Sequence, residues 1–152
     1  MIALLIISDG DKHFDTPIKE YLKRLGKSVF IHALKPSKKD SPGEIIKQET
    51  NYIVEFLQGK YVSYFKVLLS KDGKSFDTSG WVTLIKQSQN NSQDVVFIIG
   101  GPYGLDESSL LSLVDLQLGL GTHTMPHGLV KLIVLEQIYR SLQVLSNQSY
   151  HY

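Results

Sequence analysis

Val95-Val96-Phe97-Ile98-Ile99-Gly100-Gly101-Pro102-Tyr103-Gly104 joins an uninterrupted apolar run to a glycine-rich turn. A run with no polar face predicts a strand covered on both sides, which is the condition of a mostly parallel sheet. The glycines that follow permit positive φ and close approach of a ligand to the main chain. The spacing is neither the GxGxxG dinucleotide fingerprint nor the GxxxxGK[ST] phosphate loop. Pro102 also removes an N–H that a phosphate cradle would use. On the residues alone, a plain tight turn accounts for the motif as well as a ligand loop does.

Outward from this strand, apolar runs alternate with amphipathic stretches. Strands are predicted at residues 2–7, 28–34, 64–69 and 115–118. Helices are predicted at residues 16–25, with Thr16 as N-cap and Pro17 in the first position, and at 43–58 and 78–89. Thr78 is the expected cap of the third helix and Asp106 that of a short helix after Gly104. Residues 35–42 and 70–77 read as loops, the second around Asp72-Gly73. Residues 127–145 form the most apolar helix, with Leu129, Val130, Leu132, Ile133, Val134, Leu135, Ile138, Leu142 and Leu145 covering more than one stripe. Such a helix is expected to be buried on two sides, the second against another subunit. The β-α alternation predicts an α/β domain with helices on both faces of the sheet. Ligands bind such sheets beyond the carboxyl ends of the strands, which singles out the loops after Leu69, Ile99 and Leu118.

The chain has 152 residues, 42% of them hydrophobic and 20% charged, and no cysteine. That length suits one domain, spanning residues 1–152, that can bury a core without a staple. The missing cysteines exclude disulfides, thiolate zinc sites, iron–sulfur clusters and cysteine nucleophiles. No apolar run is long enough for a membrane-spanning helix. The amino-terminal run lacks a basic n-region and meets Asp9 and Asp11 at once, so it reads as a strand rather than a signal peptide. A soluble, cytoplasmic protein is expected. The net charge of +1 hides an asymmetry: residues 1–76 hold 13 Lys/Arg against 9 Asp/Glu, and residues 77–152 hold 3 against 6. Lys12, Lys19, Lys23, Arg24, Lys27, Lys35, Lys38 and Lys39 concentrate the excess. Such a cluster can neutralise phosphates; a solvated helix face and a lysine-rich loop would look the same.

Catalytic motifs are otherwise sparse. His123 and His127 are four apart, but Pro126 intervenes and no carboxylate pair is near, so a metal site is not expected. Glu136 and Arg140, at i and i+4, predict an intrahelical ion pair. The unaided reading stops at an α/β domain with a ligand site beside Gly100.

The same segments carry a resemblance. Residues 95–105, Thr124-Met125-Pro126-His127-Gly128-Leu129-Val130-Lys131, Leu135-Glu136-Gln137-Ile138-Tyr139-Arg140 and Tyr150-His151, in that order, resemble the small SPOUT-superfamily methyltransferases. These modify N3 of a pseudouridine in 23S ribosomal RNA, and the resemblance extends over essentially the whole chain. It implies a C-terminal trefoil knot, a homodimer, S-adenosylmethionine as methyl donor and the ribosome as partner. By position, the family's cofactor contacts fall on Leu69, Gly100, Leu120, Gly121, Thr122, His123, Thr124 and Met125. His151 is the residue implied to orient the base or relay its proton, and Arg140 to contact anion or substrate. The chain departs from the family in having Gly119 and Gly121 where members commonly have serine, Ser70 where an acid usually follows Leu69, and Tyr152 in place of a basic residue. A transfer RNA methyltransferase of the same superfamily, a non-catalytic RNA- or ribosome-binding module, and a flavodoxin-like nucleotide-binding domain are the competing readings.

Overall fold

The computed structural model describes residues 1–10 and 12–146. Five strands form one sheet in the order β2-β1-β4-β3-β5, and every neighbouring pair is parallel. Strand β1 is Ile2–Ile7, β2 Val29–Leu34, β3 Phe65–Ser75, β4 Val95–Ile99 and β5 Leu116–Gly119. Helices are α1 Asp15–Leu25, α2 Pro42–Gln58, α3 Thr78–Asn90, α4 Glu107–Leu110 and α5 His127–Leu145. The predicted α/β architecture is the observed one.

The strands lie inside because their side chains leave no face for water. Alternation along β1 sends Ile2, Leu4 and Ile6 into one core and Ala3, Leu5 and Ile7 into the other. The first core is closed by α1, α3 and α5, through residues such as Ile18, Trp81 and Ile138. The second is closed by Ile53 and Leu57 of α2 and Leu110 of α4. Trp81 stacks on Phe97 of β4 with ring centroids 5.7 Å apart. On β2, the Nδ1 of His32 lies 2.8 Å from the hydroxyl of the buried Tyr61.

Several boundaries differ from the expected ones, each for a local reason. Helix α1 starts at Asp15, because the Phe14 carbonyl already accepts from the Ile18 N–H at 3.1 Å; Thr16 is inside the helix and caps nothing. Residues Gly26–Ser28 form a 3₁₀ turn, with Gly26 at φ 61°, so β2 starts one residue later than expected. Helix α2 begins at Pro42 on a Ser41 cap whose Oγ accepts from the Glu44 N–H at 3.3 Å. Asp77, not Thr78, caps α3, accepting from the Gly80 N–H at 2.8 Å. That bond and the Ser79 hydroxyl hold the Asp77 carboxyl below the usual carboxylate range. Asp106 caps α4 as expected, and β5 is displaced by one residue toward Gly119.

The largest difference is in β3. Residues 70–77, expected as a turn-rich loop, instead extend the strand to Ser75 through a bulge. Leu69 and Lys74 both align with Leu118 of β5, and residues 70–73 form the excursion between them. Gly73 makes this possible. A Cβ there would meet the Leu118 carbonyl carbon at 2.6 Å and the Gly119 nitrogen at 2.7 Å. Conversely, a Cβ on Gly119 would meet the Gly73 oxygen at 2.7 Å. The two glycines let the backbones close on each other, which is why serine does not fit at position 119 in this chain.

Candidate functional site

Because the strands are parallel, the carboxyl ends of β3, β4 and β5 lie side by side at one edge of the sheet. Beyond them is a cleft of about 170 Å³. Leu69 and Ser70 form one wall, Gly100, Gly101 and Gly104 another, and Leu120, Gly121, His123 and Met125 a third. His127 and Val130 close it from the first turn of α5. Of the residues implied by the resemblance, Leu69, Gly100, Leu120, Gly121, His123 and Met125 come together here. Thr122 and Thr124 do not line it and are exposed.

The walls are largely main chain, and the glycines are the reason. A Cβ on Gly100 would stand 2.8 Å from the Cγ of Leu105, which packs beneath the turn. Gly104 closes the turn by donating its N–H to the Gly101 carbonyl at 2.9 Å. Gly121 is at φ 129°, a conformation other residues rarely adopt, and the His123 ring folds over it. The turn is tied down from α2, where Thr50 Oγ1 accepts the Asp106 N–H at 2.9 Å.

One polar group in the cleft escaped the sequence reading. Glu107, the first residue of α4, lines it; its Oε2 accepts from the Ser70 hydroxyl at 2.7 Å and from Gln117 Nε2 at 3.3 Å. Ser70 stands where the resemblance leads one to expect an acid, and Glu107 brings a carboxylate to that position from 37 residues away. In the sequence, Glu107 reads only as a first-turn acid behind the Asp106 cap. The carboxyl of Asp106 is held below its usual range by the hydroxyls of Ser108 and Ser109.

The predicted ion pair is present: Arg140 donates to Glu136 Oε1 from its Nη2 at 2.6 Å and from Nε at 3.0 Å, with both side chains about four-fifths shielded. Arg140 does not line the cleft. His151 lies outside the described residues. No helix among the described residues is long and apolar enough to cross a membrane.

A parallel α/β sheet whose three adjacent strand ends frame a backbone-lined cleft has the architecture of a small-ligand-binding enzyme domain. The family model described as predicted SPOUT methyltransferase matches residues 1–151. The chain belongs to this SPOUT methyltransferase family. It is 31% identical to the ribosomal RNA large subunit methyltransferase H of Pseudothermotoga lettingae, over 99% of each chain. It is 32% identical to the protein of the same name from Legionella pneumophila strain Paris, again over 99% of each chain. Among solved structures, a putative methylase family protein from Neisseria gonorrhoeae shares the fold. Its TM-score is 0.51 at 8% identity, covering 99% of this chain and 95% of that one.

Proposed function

We propose that the protein methylates N3 of a pseudouridine in 23S ribosomal RNA, using S-adenosylmethionine held in the cleft between Leu69, Gly100 and Met125. The observation that carries this reading is the cleft itself: main chain from three adjacent strand ends, opened by glycines, in a chain of the SPOUT methyltransferase family. Near-full-length similarity to proteins named ribosomal RNA large subunit methyltransferase H supports the RNA substrate.

The lining suits an adenosyl group. Leu69, Leu118, Leu120 and Val130 offer apolar contact, glycine peptides offer N–H and C=O groups at close range, and Glu107 offers an acceptor for hydroxyls. When bound, S-adenosylmethionine supplies an electrophilic methyl group. The remaining task belongs to the protein. N3 of the base is nucleophilic only after losing its proton, so a positioned acceptor and in-line alignment set the rate. We assign orientation of the base, or relay of its proton, to His151, and substrate or anion contact to Arg140. Thr122 and Thr124, exposed beside the cleft, are assigned to the cofactor loop that closes over the ligand.

The reading includes a homodimer and a threaded carboxyl-terminal segment as in the family, in a single domain working in the cytoplasm. Helix α5 supports the dimer: Leu129 and Ile133 belong to neither core, and Val144 is exposed beyond them. The lysine-rich segment between residues 12 and 39 is the surface we assign to the ribosome.

The test is methyl transfer from labelled S-adenosylmethionine to large ribosomal subunits lacking the modification, with transfer RNA as the parallel substrate. Label in a pseudouridine of 23S RNA is the expected result. Label only in transfer RNA, or saturable cofactor binding without transfer to either, overturns it.

A further inference from the structure

The inward face of α5 repeats at Gly128, Lys131, Val134, Leu135, Ile138 and Ser141. Position 131 thus occupies a core register, where burial would ordinarily select an apolar side chain. Lys131 is nevertheless only 7% exposed. It forms no ion pair and no side-chain hydrogen bond among the described residues. Its aliphatic stem fills the core register while the ammonium opens into a surface groove, where it is placed to meet an anion.

Lys131 lines a groove of about 630 Å³ at the carboxyl ends of β1 and β2, together with Asp9, Lys35 and Lys38. This is not the cleft described above, but it adjoins it. Val130 lines the cleft and its neighbour Lys131 lines the groove, so the start of α5 divides the two. The lysine-bearing loop is preorganised. The Ser37 N–H donates to Glu49 Oε1 at 3.0 Å, the Ser37 hydroxyl bonds the Gln48 side chain, and the Lys39 N–H donates to Ser37 Oγ at 3.2 Å.

On its far side this loop borders a second groove, of about 610 Å³, where Lys35, Lys38 and Lys39 meet Tyr52 and Phe56. Cations interleaved with aromatic rings suit a single-stranded polyanion carrying bases, whereas a small free anion would use only the lysines. We propose that the Lys131 groove binds a backbone phosphate of single-stranded RNA, with Lys131 as the anchor at the α5 wall and Lys35 and Lys38 at the rim. The inference rests on the RNA-methylating reading and adds to it where the strand is gripped, across the start of α5 from the cleft.

The experiment measures binding of a fluorescein-labelled 12-nucleotide RNA to the full-length protein by anisotropy, over a range of salt. Expected are a loss of at least about 10-fold for Lys131→Met and a log–log salt slope shallower by about 0.7. Lys131→Arg should stay within about 3-fold of wild type, and S-adenosylmethionine affinity should be unchanged in both. The double variant Lys35→Gln/Lys38→Gln, on the exposed rim, should weaken RNA binding in the same direction and serves if Lys131→Met does not fold. Wild-type affinity and slope in Lys131→Met, or in the rim variant should the first not fold, would overturn the inference. So would absence of salt-dependent RNA binding by the wild type. Methyl transfer to ribosomal subunits is scored separately, so either reading can fail without the other.

Discussion

Strands β1 and β3 flank β4 on opposite sides, pair with it in the same sense and begin with similarly apolar sequences, yet they end differently. Strand β1 stops where its apolar run stops, and all six of its residues are buried. Strand β3 continues for six residues past Leu69, of which only Ser70 is buried. Side chains packed from both faces hold β1, and the groove at its carboxyl end begins only beyond the strand, at Ser8 and Asp9. The far half of β3 is held by close backbone approach at Gly73 and Gly119, and the space left beside it is the cleft. The sheet is filled by side chains along β1, whereas beside β3 it is braced by main chain and opens into the cleft.

Three measurements would break or sharpen this contrast. Gly73→Ala should have the largest effect, because its Cβ collides with backbone that has nowhere to move. A loss of at least about 4 kcal/mol in urea unfolding is expected, together with loss of S-adenosylmethionine binding by calorimetry. Wild-type stability in that variant would remove backbone bracing from the account. Leu5→Ala, at a fully buried position of β1, should cost about 3 kcal/mol through the cavity it leaves. Its cofactor affinity, unlike that of Gly73→Ala, should be unchanged.

The smallest effect is expected from pH, at the His32–Tyr61 pair beside β1. Burial, aided by the charge of Lys60, lowers the His32 pKa, so folding favours the neutral ring. Its contribution is fully present above the ordinary histidine value and is lost as pH falls through that range. Burial pushes the Tyr61 phenol up to about 12, so its contribution is present below about 10 and lost as pH rises further. Thermal unfolding across pH should therefore show a plateau between these limits, and His32→Phe should flatten its acid limb.

What the sequence disclosed follows the same division. Strands β1 and β4 and helix α5 were legible to the residue, since continuous apolar runs and Pro126 before His127 act locally. The cleft's position was legible from the strand-end rule, and the Glu136–Arg140 pair from its spacing. Residues 70–75 were not, because Ser-Lys-Asp-Gly-Lys-Ser has the composition of a turn. Its strand pairing is imposed by Leu118 and Gly119, more than forty positions away in the chain. Glu107 and Lys131 were missed for a related reason. Each resembles an ordinary helix charge until the fold shows which direction it faces.

The Trp81–Phe97 stack also gives the protein a built-in optical probe. The chain has a single tryptophan, its indole is shielded from water, and it rests on the strand that runs into Gly100. Indole emission, excited selectively over the tyrosines, therefore comes from one site in the helix-covered core, a few residues upstream of the cleft. A red shift reports water reaching that core, with no label introduced and no second indole to subtract.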